Sequence, residues 1–308
     1  MTLINIVLPV FLVIGLGLAL RRLGFIREEL NDGLSRLVFY VAAPALLFRS
    51  CAEGAFDWGA RLPALGAVIG LTALVAVVTY VAGARLVPAR RGVFAQGCFR
   101  SNTVFVGLPL VLSAYGDVAL GPASVLIAVM VVVENLLSVM ALTLPHHGRH
   151  AHQPALWRHT ALRIVTNPLI LACAAGIIYS LLGIRLPSGI DRTLELVGST
   201  AAPLGLLCVG AGLAFEGLRA ELPATLTASI VRLIVHPALI FLALRYLGLS
   251  GVELGVPLLI MASPTAVVSY IMAREMDGDA PLAGAIILIS TAASLVTLIG
   301  WLVLLGMR

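Results

Sequence analysis

The chain reads as a succession of long apolar runs separated by short polar joints. Runs near 3–20, 34–51, 61–83, 92–114, 119–144, 162–182, 193–213, 222–245, 252–273 and 282–305 each approach or exceed the roughly 20 residues that cross a hydrocarbon core of about 30 Å. Charges and turn residues gather between them. The pattern predicts an all-α polytopic membrane protein of ten transmembrane helices with almost no mass outside the bilayer. The first run has no positive stretch before it and no small-x-small cleavage site, and Arg21, Arg22 and Arg27 follow it. It is therefore read as a first span and not as a signal peptide.

Composition sharpens this picture. Of the 308 residues, 60% are hydrophobic and 11% charged, where a soluble domain carries about 25% charged residues. All 20 basic residues are arginine and lysine is absent. That excludes a Walker A phosphate loop, which needs its lysine, and a Schiff-base cofactor such as retinal or pyridoxal phosphate. The net charge of +5 is not concentrated in a basic patch interleaved with aromatics, so no nucleic acid is expected as a partner. Cys51, Cys98, Cys173 and Cys208 stand singly in or at the edges of apolar runs, as small buried hydrophobes do. No cofactor is expected.

Arginine also orients the chain. The joints after spans 1, 3, 5, 7 and 9, with their flanks, hold 12 arginines, the opposite side holds six, and Arg100 and Arg232 lie within spans. The positive-inside rule then puts the joint between spans 5 and 6 in the cytoplasm and both termini outside it.

The two halves repeat. A shift of 159 residues lays Pro9 on Pro168, Gly17 on Gly176, Leu23-Gly24 on Leu182-Gly183, Ala42-Ala43-Pro44 on Ala201-Ala202-Pro203 and Leu47 on Leu206. Prolines and glycines in one register mark shared backbone constraints. The expected organisation is a first five-helix repeat over 1–144, a His-rich cytoplasmic linker over 145–161 and a second repeat over 162–308. Five spans per repeat is odd, so the halves enter from opposite faces, an arrangement typical of secondary transporters.

Polar groups at mid-depth single out spans 4 and 9. Span 4 carries Arg100-Ser101-Asn102-Thr103 and span 9 carries Ser263-Pro264-Thr265. Pro264 removes a ladder hydrogen bond, and the short polar side chains of span 4 compete with the ladder. Broken backbone at that depth needs protein or a wet cavity to satisfy it. A guanidinium there costs about 2.5–3.5 kcal/mol even on the lenient insertion scale, so Arg100 either grips a carboxylate or pairs with Glu134 of span 5. Glu134-Asn135 is the leading proton or cation site. Arg232 and His236, four apart on span 8, are a second candidate for anion or proton handling, with packing as the alternative.

The residues Asn102-Thr103-Val104-Phe105-Val106-Gly107-Leu108-Pro109-Leu110 resemble the Asn-Thr-x-x-x-Gly-x-Pro-Leu signature of the auxin efflux carrier family, which includes bacterial transporters of malonate-like acids. Ser263-Pro264-Thr265-Ala266 through Ala273-Arg274-Glu275 resembles its second signature. The resemblance covers the whole chain. It implies that broken helices 4 and 9 cross at the substrate site, that helices 1, 2, 6 and 7 form a scaffold, often homodimeric, and that helices 3–5 and 8–10 move as the transport unit. Plant members place proline where Ser101 stands, which predicts a milder break in span 4 than at Pro264.

The expected protein is a secondary carrier in the cell membrane that moves a small organic anion, with a coupling proton or sodium ion. Substrate-binding candidates are Arg100, Ser101, Asn102, Thr103, Ser263, Pro264 and Thr265; coupling candidates are Glu134, Asn135, Arg232 and His236. A sodium symporter of bile-acid-carrier type, an intramembrane enzyme or a permease subunit are the alternatives, the enzyme disfavoured because HExxH and GxSxG are absent. Five of the six histidines fall between His146 and His159; spacing this loose fits a solvated linker better than a metal site.

Overall fold

The computed structural model describes residues 3–53, 58–146, 166–183, 186–213 and 222–307. Among them there is no strand, and the chain forms the α-helices α1 (Leu3–Arg22), α2 (Glu28–Leu37), α3 (Ala43–Glu53), α4 (Trp58–Ala82), α5 (Pro88–Phe99), α6 (Leu108–Tyr115) and α7 (Leu120–Thr143). The second half supplies α8 (Pro168–Leu181), α9 (Ser188–Gly198), α10 (Ala201–Ala211), α11 (Leu222–Ile230), α12 (His236–Tyr246), α13 (Gly251–Met261), α14 (Val268–Glu275) and α15 (Ala280–Leu304). Among the described residues, six continuous helical stretches are long and apolar enough to cross a bilayer: Glu28–Ala52, Leu62–Arg85, Thr103–Thr143, Ser188–Ala211, Leu222–Tyr246 and Ala280–Leu304. Spans 4 and 9 fall short of that length because each is split near its middle, into α5 and α6 and into α13 and α14. The linker expected to carry His146 to His159 lies outside the described residues from 147 onward.

Proline sets the irregularities within the helices. Three π turns occur among the described residues, Val38–Ala42, Thr103–Gly107 and Val231–Val235. Two residues beyond each stands a proline: Pro44, Pro109 and Pro237. Proline has no N–H to give and its ring crowds the carbonyl four residues back. The ladder accommodates this by slipping one residue, so that Ala43, Leu108 and His236 each bond the carbonyl five residues back.

Glycine sets the closest helix approaches. A Cβ on Gly17 of α1 would run into the backbone of Leu207 in α10, and one on Gly176 of α8 would run into the backbone of Phe48 in α3. These two contacts are images of one another, because Gly17 to Gly176 and Phe48 to Leu207 are both separated by the 159 residues of the sequence repeat. Gly210 against Ile14 adds to the α1–α10 contact. An Arg49–Asp191 ion pair of 2.6 Å joins α3 to α9.

At one end of the bundle, Arg90 near the start of α5 meets Asp279, which precedes α15, at 2.9 Å. The Asp279 N–H also donates to Ala89 at 2.9 Å, and its carboxylate caps the Leu282 N–H at 3.0 Å. The start of α5 and the turn after α14 thus share one end, and α5 and α14 both run between that end and the breaks.

Candidate functional site at the two helix breaks

The ladder of α5 stops at Phe99. Arg100 is extended (φ −80°, ψ 111°), and Asn102 (φ −84°, ψ 66°) opens the next helical turn, its side chain accepting from the Phe105 N–H at 3.3 Å. Opposite, α13 ends at Met261 and α14 begins only at Val268. The two gaps meet as an antiparallel bridge between Ser101 and Thr265. The Asn102 N–H donates to the Pro264 carbonyl at 2.8 Å, and the Ala266 N–H donates to the Arg100 carbonyl at 3.3 Å. Backbone groups that a helix would have satisfied are satisfied across the crossing, as buried peptide groups require. Span 4 is interrupted over residues 100–102 and span 9 over 262–267, so the break without a proline is the shorter one, and tertiary hydrogen bonds satisfy both.

The remaining polar groups lock the bridge. Thr265 donates its hydroxyl to the Gly97 carbonyl at 3.0 Å and its N–H to Ser290 Oγ at 3.2 Å, and Ser263 donates its hydroxyl to the Ile260 carbonyl at 2.7 Å. Ser101 gives its N–H to Glu134 Oε1 at 2.9 Å. Arg100, Ser101, Asn102, Thr103, Ser263, Thr265 and Glu134 are all buried.

The two arginines behave differently. Arg232 donates to the Phe99 carbonyl at 2.6 Å, to the Ser263 carbonyl at 3.1 Å and to the Met261 carbonyl. One guanidinium thus caps the C-terminal ends of both α5 and α13, where the helix dipoles turn negative. Behind it, Thr72 gives its only hydroxyl proton to Val68 at 2.8 Å, so its oxygen accepts from His236 Nε2 at 3.1 Å, and His236 Nδ1 accepts from Arg232 at 2.9 Å. His236 is therefore held as the neutral Nε2–H tautomer.

Arg100 reaches only neutral acceptors: Ser138 Oγ at 2.7 Å, Asn135 Oδ1 at 2.7 Å, the Met272 sulfur at 3.1 Å and the Glu134 backbone carbonyl at 3.4 Å. Its Nε is buried with no hydrogen-bond partner among the described residues. Of the two alternatives for Arg100, direct pairing with the Glu134 carboxylate is not formed: that carboxylate accepts from the Ser101 N–H and acts on the guanidinium without contacting it. Neither buried arginine pairs with a carboxylate among the described residues.

Sequence reading missed several residues here, among them Ser290, which accepts the Thr265 N–H. Ser138 lies four residues after Glu134 on α7, Gln96 four before Arg100 on α5, and both could be found by helical spacing. Thr72 and Met272 carry no local signal. Among the described residues no cluster of His, Cys, Asp or Glu is arranged to hold a metal.

Comparison with known proteins finds transporters along the whole chain. The chain is 27% identical over 312 residues to a protein of Rhizobium meliloti named "Putative malonate transporter", covering 98% of this chain and 95% of the relative. It is 28% identical over 309 residues to an "Uncharacterized transporter" of Methanothermobacter thermautotrophicus, covering 97% of each. A transporter of Methanocaldococcus jannaschii is 25% identical over 310 residues, covering 97% of this chain and 98% of the relative. The family model described as "Membrane transport protein" matches residues 2–302. A bilayer-spanning chain with two hydrogen-bonded helix breaks, both signature stretches and this match belongs to that family, the one containing the auxin efflux carriers, and is a membrane transporter and not an enzyme.

Proposed function

We propose that this transporter is a secondary carrier for a small carboxylate, which it moves by alternating access through the crossing of the two breaks. The observation that carries this reading is a guanidinium, Arg100, buried beside the bridged gap, whose hydrogen bonds go to neutral groups and whose Nε makes none among the described residues. The Glu134 carboxylate acts on this charge without hydrogen-bonding to it, which leaves the guanidinium able to take a carboxylate, the planar partner it fits best. Asn102, Thr103, Ser101, Ser263, Pro264 and Thr265 would surround that anion with side-chain and backbone polar groups. The name of the Rhizobium relative supports a malonate-like acid.

In this reading the chain has ten spans in two inverted repeats, as the paired Gly17–Leu207 and Gly176–Phe48 contacts support. Helices 1, 2, 6 and 7 form the scaffold, held by these glycine contacts and by Arg49–Asp191, and dimerise; helices 3–5 and 8–10 carry the site. Glu134, bonded to the break through Ser101 and adjacent to Asn135, is the coupling residue and exchanges a proton with the anion's movement. Arg232 and His236 hold the two breaks together. Both termini face away from the cytoplasm.

Counterflow tests the proposal. Purified protein in liposomes preloaded with unlabelled malonate should accumulate labelled malonate without any ATPase. Failure of a panel of small mono- and dicarboxylates to exchange would overturn it.

A further inference from the structure

A guanidinium has five N–H groups, and Arg232 engages four of them. Its Nε donates to the Ser263 carbonyl, its Nη2 to the Met261 carbonyl, and its Nη1 to both the Phe99 carbonyl and His236 Nδ1. The three carbonyls lie at the C-terminal ends of α5 and α13, where partial negative charge collects next to the breaks. Left bare, they would repel an anion at the crossing. How well they are masked depends on how the guanidinium is aimed, and two side chains from other spans control that aim without touching it.

The first is Thr72 of α4. Its oxygen accepts from His236 Nε2 at 3.1 Å, which keeps the ring proton on Nε2 and leaves Nδ1 to accept from Arg232 at 2.9 Å. The tautomer of a neutral imidazole is set by the bond its other nitrogen makes. Without the Thr72 oxygen, the Nδ1–H tautomer becomes available and sets one N–H against another at Arg232. Thr72, His236 and Arg232 are all fully buried. Thr72 follows Pro63 by nine residues, as Arg232 follows Pro223. It therefore stands at the place in the first repeat that Arg232 holds in the second, so that one guanidinium serves both breaks and the residue at the matching place backs it.

The second is Trp301 of α15. Arg232 lies in the π turn Val231–Val235. The neighbouring Leu233 carbonyl loses its ladder donor, because Pro237, four residues on, has no N–H. Trp301 Nε1 donates to that carbonyl at 2.9 Å, from a buried indole whose centroid lies 6.3 Å from the Phe241 ring. A slip of the turn by one residue would rotate Arg232 by about 100° around the helix axis, away from the carbonyls it masks.

Resting on the carboxylate reading above, we infer that Thr72 and Trp301 are positioning residues that set the affinity of the crossing for its anion. Thr72 acts through the His236 ring and Trp301 through the π turn; together they aim Arg232 at the three carbonyls from spans 3 and 10.

Exchange kinetics of the purified full chain in liposomes provide the test. Thr72→Val keeps the shape of the side chain and removes the acceptor, and Trp301→Phe keeps an aromatic ring and removes the donor. Each should raise the KM for malonate exchange by about tenfold, the equivalent of one lost hydrogen bond, with the maximal rate per folded protein within about twofold of the wild type. Thr72→Ser, which retains the hydroxyl, should return KM to the wild-type value. A purely structural role would lower the thermal midpoint and the amount of active protein and leave KM where it was. That pattern in a folded variant overturns the assignment of its residue, and in both it overturns the inference, as does failure of both variants to fold. A raised KM in Thr72→Ser overturns the hydroxyl's part. If only one of the two variants folds, its KM decides. Absence of exchange by the intact protein with malonate and every other acid of the panel overturns the carboxylate reading and this inference with it.

Discussion

The N–H of Asn102 and the carbonyl of Pro264 meet at 2.8 Å, so that each interrupted helix supplies the partner the other has lost. Because the two residues are 162 positions apart, the proposed substrate site exists only in the tertiary fold: neither gap is stable without the other, since each would leave peptide groups unsatisfied in the membrane interior. Four expected outcomes follow from this arrangement and its surroundings.

Arg100→Ala should leave a monodisperse protein that no longer exchanges carboxylates. Hydrogen bonds to a charged group contribute about 1.5–3 kcal/mol each, which corresponds to a loss of affinity of about 10- to 100-fold. Size-exclusion profiles and malonate counterflow, measured on the same preparation, check both halves of the statement; undiminished exchange would refute Arg100 as the anion's partner.

Arg232→Met should fail differently, by instability. Three carbonyls at the ends of α5 and α13 would lose their donor together, each at a cost of about 1–3 kcal/mol. Arg232→Lys should recover only part of this, because an ammonium lacks the planar fork that reaches several acceptors at once. Thermal unfolding midpoints in the order wild type, then lysine, then methionine are expected.

Glu134→Gln retains an oxygen for the Ser101 N–H but removes the exchangeable proton. The variant should fold and still perform exchange, while net uptake should cease to respond to an imposed pH gradient. Uptake in liposomes with and without the gradient reads this directly, and a wild-type-like response would remove Glu134 from coupling.

Gly17→Leu and Gly176→Leu should destabilise the chain to a similar degree, since each drives a side chain into the backbone of a neighbouring helix related by the repeat. Overpacking of this kind costs about 1–3 kcal/mol. Gly15→Ala, whose Cβ meets nothing within 4 Å, is the control and should be neutral or mildly stabilising because glycine is a poor residue within a helix. A thermal melt of all three separates close approach from a general intolerance of change in α1.

The apolar runs by themselves settle that the chain is helical and lies in a bilayer, since 60% hydrophobic residues in runs of this length leave the backbone no other way to satisfy its hydrogen bonds. Pro264 and the Arg100–Thr103 cluster mark the two breaks, because proline and short polar side chains disturb the ladder wherever they occur. The 159-residue register, read from prolines and glycines, finds a physical counterpart in the Gly17–Leu207 and Gly176–Phe48 contacts. Local chemistry reaches no further. That span 4 breaks fully without a proline follows from the Pro264 carbonyl and the Ala266 N–H lying opposite it, a matter of packing between distant segments. That Arg100 takes Ser138, Asn135 and Met272 rather than the Glu134 carboxylate, while Arg232 turns to three backbone carbonyls, depends on where each helix face points. Two arginines identical in sequence terms thus become a clamp on backbone carbonyls and a guanidinium held by neutral side chains, because partners for a buried charge are chosen by distances of an ångström or two that only the assembled bundle sets.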